Sequence, residues 1–510
     1  MNNNILDFPL ILRKTFLSKK IILGSTLFIF TLILGTVYSK FGIDLHHQGI
    51  MYNAAKSILD GKKLYVDAYY HYGPIVAYLH SFSLLIFGDK LFSIQFFTVF
   101  CYSIFYVQIF IFLSKNFNIF FCFIFSLIWS LFSPYLVVDF LPWSSVVILI
   151  PFTFLLYSFI YMKPTKWLIL FWGILVSIIF FSRQSVGIPL IILMPFCLFL
   201  RYDINTRLKF YFLIGLITVI IFFVIQMQLN DNLFHYINSA LFGQFQFVGK
   251  SVGIESATSF KSILSLLKII IKCFIIEHIY FEKYSFFWRL LLILFFVPTL
   301  LNLKKSYNTN NVDEFKLKLS IFILAASSLV QIFPVPDIRH YFWSFSPIIP
   351  FILVESFNYY KRVLARKSDF ELFFIYIFIT FFLIFTLLTL NYRVTSGFFN
   401  YKEYNEESSK YSILKGMKLN SAEKYFFDTT FNFNGKITVP ESNFEPLMLK
   451  YFSIQDSVIF KNIISNYPIA NDTNQRYLKI SGFKGYRQLI RNNGRIAYFN
   501  KDTLYFKILK

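Results

Sequence analysis

IILGSTLFIFTLILGTVYSKFGID, residues 21–44, decides the fold of this chain. Ile21–Tyr38 is an uncharged apolar run, close to the roughly 20 residues that cross a hydrocarbon core. Arg13, Lys14, Lys19 and Lys20 precede it and no small-residue cleavage site follows. It is therefore expected to stay in place as a signal anchor with the N-terminus in the cytoplasm. Past the run the sequence opens into a polar, aromatic-rich loop, 40–89, whose first acid is Asp44. A carboxylate at the mouth of a membrane helix is costly beside lipid and marks a candidate site.

The rest of the chain repeats that apolar pattern. It has 510 residues, 56% of them hydrophobic and only 15% charged, where soluble proteins sit near a quarter charged. A polytopic α-helical membrane protein is the expected class. The net charge of +22 does not indicate nucleic acid, because the basic residues gather in short connections between apolar runs, as the positive-inside bias requires. Crossings are expected at roughly 21–39, 90–113, 118–138, 144–162, 167–182, 186–200, 209–229, 286–303, 318–335, 343–357 and 370–391, about eleven in all. With that count Lys115, then Lys163 and Lys166, then Arg201, Arg207 and Lys209 fall on the cytoplasmic side. So do Lys304, Lys305, Lys316 and Lys318, and finally Lys361, Arg362, Arg366 and Lys367.

Two apolar stretches are read as interfacial or bundle-packed helices instead. Counting Pro74–Gly88 as a crossing would reverse every later loop, and Leu264–Phe281 carries Lys268, Lys272, Glu277 and His278. The membrane domain is thus expected over 1–391. Residues 392–510 are expected to form a small α/β domain outside, with strand-like runs at Gly435–Pro440, Arg495–Asn500 and Leu504–Leu509 and turns at NFNGK and RNNGR. Cys101, Cys122, Cys197 and Cys273 lie in or beside apolar runs and suggest neither a disulfide framework nor zinc.

This topology collects ionisable groups on the outer face. Loop 40–89 gives Asp44, His46, His47, Asp60, Asp67 and His71; YLVVDFLPWSS gives Asp139; FFSRQSVGIP gives Arg183; FPVPDIRHYFWS gives Asp337, Arg339, His340 and Tyr341. A carboxylate can take the proton of an attacking hydroxyl, and arginine can hold a phosphate with an always-charged fork. Each group also has a plainer role. Asp44, Asp67 and Asp139 can cap helices or turns, and Arg183 and Arg339 can snorkel to the interface. Tyr65, Tyr69, Tyr70, Tyr72 and Tyr78 can be an aromatic belt as well as a sugar-stacking wall. His46, His47 and His71 with Asp44 or Asp67 could hold a divalent cation, but their spacing follows no recognised metal motif.

In order along the first 360 or so residues, these motifs resemble the GT-C superfamily of polyprenyl-phosphate-dependent glycosyltransferases. The branch they look most like contains the protein O-mannosyltransferases and the lipid A aminoarabinose transferases. The matching residues are Asp44, Ala54-Ala55, Gly61–Tyr65, Asp67, Gly73-Pro74, Phe87-Gly88, Asp139, Ser182–Gly187 and Arg339-His340-Tyr341 with Pro347 and Pro350. The paired Asp-Glu of the family's first motif is Asp44-Leu45-His46-His47 here. The resemblance implies inverting transfer of a sugar from a polyprenyl-phosphate carrier to a glycan, glycolipid or protein hydroxyl, with no required cofactor. It implies catalytic roles for Asp44, Asp67 and Asp139. His46, His47, His71, Arg183, Arg339, His340 and Tyr341 would bind substrate. The place implied is the outer face of a bacterial cytoplasmic membrane. An undecaprenyl-linked polymerase or ligase, a lipid flippase and a non-catalytic scaffold are the alternatives; the early loop and the helix-end position of the acids speak against the first two.

Overall fold

A computed structural model describes residues 10–41, 47–68, 70–132, 142–201, 204–242, 285–309, 311–332, 338–363, 406–407, 414–419, 436–438, 487–492, 495–500 and 503–508. The protein is mostly helical. Its first helices are α1 (Leu10–Tyr38), α2 (His47–Leu59), α3 (Pro74–Phe87), α4 (Leu91–Leu113) and α5 (Ile119–Phe132). There follow α6 (Ser144–Tyr161), α7 (Lys166–Ser182), α8 (Gln184–Leu200), α9 (Thr206–Leu229) and α10 (Leu233–Tyr236), the last running into a π-helical segment, Ile237–Phe242. Then come α11 (Ser285–Asn308), α12 (Val312–Ala326) with a 3₁₀ continuation Ser327–Ile332, α13 (Ile338–Phe345) and α14 (Ile349–Val363). Among the described residues five segments are long and apolar enough to cross a membrane: Lys19–Tyr38, Leu91–Leu113, Ser144–Tyr161, Thr206–Leu229 and Val312–Ile332. They make this a multi-pass membrane protein.

Contacts sort the connections to two ends of the bundle, as the charge pattern demands. At one end Lys20 Nζ donates to Ser114 O at 3.3 Å. There too Asn116 bonds the Tyr161 hydroxyl, Phe117 packs on Phe357, and Arg201 donates to Phe159 O and Met162 O. At the other end the α7–α8 turn meets the start of α6 through Arg183 and Ser144, and Trp143 meets Trp343 of α13. The span expected at 370–391 and the helix expected at 264–281 lie outside the described residues.

Helix α3 stays at the second end. Gly73 abuts Phe181 and Ser182 at the end of α7, and Tyr78 Oη accepts from Gln226 Nε2 near the end of α9. Ser83 donates to Ser93 O at the start of α4. An apolar helix anchored along its length to one end of its neighbours does not cross. Its partner α2 is clamped to the α3–α4 turn by Lys56–Asp89 at 2.7 Å and Tyr52 Oη to Asp89 Oδ1 at 2.6 Å.

Two boundaries depart from expectation. The turn between the fifth and sixth spans is the single residue Arg183, not the few residues expected, because α8 begins at Gln184. Gly187 permits this: a Cβ there would lie 2.1 Å from Phe180 Cα. The span expected at 343–357 is two helices, α13 and α14, broken at Ser346–Ile348. Pro347 disfavours helical geometry for the residue before it and offers no amide of its own.

In the C-terminal stretch the described elements are strands. β1 (Glu406–Glu407) pairs with β2 (Lys418–Leu419), and β3 (Lys436–Thr438), β4 (Arg487–Asn492), β5 (Arg495–Asn500) and β6 (Thr503–Ile508) form a sheet of order β3-β6-β5-β4. β4 and β5 pair antiparallel with Asn492 opposite Arg495. Segment 414–419 docks on the end of α1: Lys418 N donates to Lys40 O at 2.7 Å, and Leu414, Met417 and Leu419 are buried with α2, α3 and loop residues.

Candidate functional site

The loop after α2 is built to be rigid. Lys63 N donates to Asp67 Oδ2 at 2.8 Å and Asp67 N to Lys63 O, closing a turn. Inside it Tyr65 takes a left-handed backbone, φ +71, a conformation that costs a β-carbon residue about 1–2 kcal/mol. The strain is offset by burial and by its hydroxyl, which donates to Tyr72 O at 2.7 Å. Burial also pushes the Tyr65 phenol well above its ordinary pKa, so it stays a neutral donor. Tyr65, Tyr70 and Tyr72 pack ring on ring. They are therefore a buried brace, not an aromatic belt; Tyr69 lies outside the described residues.

Gly73 docks this brace on the bundle. Its backbone is ordinary (φ −65, ψ 149), so glycine is needed here for close approach: a Cβ would lie 1.9 Å from Phe181 O. That contact places the loop beside Arg183. The Arg183 side chain is only 7% exposed and its Nη1 donates to Ser144 Oγ at 3.2 Å, so it turns inward instead of snorkelling. It is flanked by the first turns of α6 and α8, neither with a side-chain cap among the described residues. Their amides and dipoles add positive potential. Ser145 Oγ, Ser182 Oγ and Gln184 Oε1 are buried here without a hydrogen-bond partner among the described residues. Buried polar atoms are almost always satisfied, so these three mark polar bonding capacity beside Arg183.

Aromatic contacts join the remaining elements to that centre. His71 packs on Tyr72 (4.1 Å), Tyr72 on Trp143 (4.8 Å), Trp143 on Trp343 (6.3 Å) and Trp343 on His340 (5.5 Å). Gln184 Nε2 donates to Tyr236 Oη at 3.4 Å, and Tyr236 packs on Tyr65. Burial raises the Tyr236 phenol to about 12, with the Gln184 bond opposing. A relay of rings thus runs from His71 through Tyr72, Trp143 and Trp343 to His340, and Arg183 meets it at Ser144, the neighbour of Trp143; the half-buried Arg339 is next to His340 in the chain.

Other predicted site residues stand differently. Asp67 is exposed and closes its own turn. Tyr341 is buried in the main apolar core and stacks on Phe345. Asp60 pairs with Lys56 at 2.9 Å. Asp44, His46, Asp139, Asp337 and the His47 side chain lie outside the described residues. Among the described residues no three His, Cys, Asp or Glu side chains gather to hold a metal. The sequence singles out neither Ser145, Tyr236 nor Trp343, and Gln184 only as part of the Ser182–Gly187 motif. The Trp-Ser-Ser following Pro142 was the signal for the first; Tyr236 comes from a distant segment and had none.

No family model matches the chain and no curated protein matches it. Among solved structures it is similar to ArnT from Cupriavidus metallidurans bound to undecaprenyl phosphate. That likeness has a TM-score of 0.46 and 9% identity, over 94% of this chain and 97% of that one.

Proposed function

We propose that this protein is a membrane glycosyltransferase that moves a sugar from a polyprenyl-phosphate carrier to an acceptor hydroxyl on the outer face of a bacterial cytoplasmic membrane. The observation that carries the reading is the Arg183 pocket: a buried guanidinium beside two helix starts and three buried polar atoms, with no side-chain cap on the former and no partner for the latter among the described residues. Burying a guanidinium costs several kcal/mol before its partners are counted, and a phosphate is the anion such a pocket suits.

In this reading the acceptor oxygen attacks the anomeric carbon as the carbon–oxygen bond to the carrier phosphate breaks. The acceptor proton passes to Asp44, and Arg183 and Arg339 hold the departing phosphate. Asp139 is the second acid, Asp67 shapes the loop, and His46, His47, His71 and His340 contact sugar or phosphate. The transfer needs no cofactor. Residues 1–391 form the membrane domain with its full set of about eleven spans, and 392–510 an outer domain.

The test is incubation of purified protein with synthetic polyprenyl-phosphate sugars and an envelope extract as acceptor, following release of polyprenyl phosphate. Wild type should release it. Arg183→Gln should lower the rate by at least about 100-fold, as loss of a charge-stabilising donor does, and Asp44→Asn should abolish transfer. Full transfer by Asp44→Asn would remove it as the base, and unaltered release by Arg183→Gln would remove the phosphate assignment.

A further inference from the structure

A second basic cluster lies at the same end of the bundle, on different elements. Lys40, just past α1, and Lys90, just before α4, both set their ammonium groups over the Phe92 ring, 5.5 and 5.9 Å from its centroid. Segment 414–419 closes over the same ring. Gly416, at φ +91, brings its backbone to within 3.8 Å of Phe92 as measured from a Cβ position, and Lys418 is hydrogen-bonded through its amide to Lys40. Lys415 and Lys418 are exposed beside it.

Two lysines thus sit over Phe92, and two more are carried by the segment that closes over it. Among the described residues none of them pairs with a carboxylate. Asp89 is the nearest acid in sequence, and it is taken by Lys56 and Tyr52. Glu407 stands opposite Lys418 in the strand register, which leaves Lys40 and Lys90 over Phe92 and Lys415 exposed on the covering segment. Topology does not explain them, since they oppose the bias that places basic residues at the other end.

The flanks are apolar and exposed. Ile29, Ile33 and Val37 lead along α1 to Lys40, and Leu85, Ile86 and Phe87 end α3 beside Lys90. Cations above an apolar wall at the ends of spanning helices match a lipid: chains against the wall, headgroup at the lysines. We propose that Lys40, Lys90, Lys415 and Lys418 bind the phosphate headgroup of an anionic membrane lipid, which fastens the C-terminal segment to the mouth of α1. The site shares no residue with the Arg183 pocket and does not depend on the proposed transfer.

The full chain in detergent, given equal amounts of dioleoylphosphatidylglycerol and dioleoylphosphatidylcholine, can be assayed by native mass spectrometry for retained lipid. Wild type should retain the glycerol lipid in preference. Each anionic contact is worth roughly a factor of five, so Lys40→Gln/Lys90→Gln should lower that preference about ten- to thirtyfold. Lys415→Gln/Lys418→Gln should act similarly, and it decides the matter where the first pair impairs folding. Lys62→Gln, an exposed lysine at the same end outside the cluster, should leave the preference intact, and inorganic phosphate should not displace the lipid. Unchanged preference in the lysine pairs, an equal loss in Lys62→Gln, or displacement by phosphate alone would overturn the proposal.

Discussion

Gly73→Ala probes how loop one is held to the Arg183 turn. The added Cβ would lie 1.9 Å from Phe181 O, 2.2 Å from Phe181 C and 2.8 Å from Ser182 N, where ordinary contact begins at 3.4 Å. About 1.5 Å must be found, and all three obstacles are backbone at the end of α7. Overpacking of this kind costs about 1–3 kcal/mol, and a rigid obstacle puts the cost near 3. The cheaper response is for the loop to lift. A misplacement near 1 Å can cost about 100-fold in rate, so kcat/KM for carrier release should fall by that order. Trypsin cleavage at exposed Lys62 and Lys63 should quicken. Gly61→Ala is the control: φ there is +71 with nothing within 4 Å among the described residues, so it should cost about 1 kcal/mol without a comparable loss of rate. A Gly73→Ala protein with wild-type stability, cleavage and transfer would refute the docking.

Arg201 should prove structural. It is 5% exposed, donates to two carbonyls at the end of α6 and lies over Phe159 and Trp172. Arg201→Met should lower stability by about 2–3 kcal/mol, read by thermal unfolding, while the rate per folded molecule holds; Lys, lacking the fork, should recover only part. His80 of α3 is 1% exposed, and burial lowers its pKa to about 3. The unfolded chain then binds the extra proton first, so stability is full above pH 6.5 and declines as pH falls toward 3. His80→Phe should flatten that part of the stability–pH curve, and an unchanged curve would mean the imidazole is not buried neutral.

Helix positions were legible because apolar runs and lysine turns each carry their own signal. The assignment of Pro74–Gly88 to one end followed from charge parity alone. Arg183 was legible as a residue between two spans, but its inward turn was not, since that depends on Gly187 closing the α7–α8 hairpin and on Ser144 arriving from α6. Asp67 is open in the sequence to a catalytic or a capping role, and its bond from the Lys63 amide depends on a turn that no local pattern specifies. Tyr65 and Tyr236 meet across more than 150 residues, beyond the reach of local pattern. The break at Ser346–Ile348 was signalled by Pro347, yet the apolar count ran through it.

Sidedness is the claim everything else needs, because a carrier-linked sugar must reach loop one and Arg183 from outside the cell. With Cys273 replaced by Ser, the other cysteines, Cys101, Cys122 and Cys197, are buried. Lys62→Cys and Lys163→Cys, both at exposed positions, can then be treated in spheroplasts with a membrane-impermeant maleimide. Residue 62 should label at once and residue 163 only after permeabilisation. Labelling in the opposite order would place the site in the cytoplasm and contradict the account.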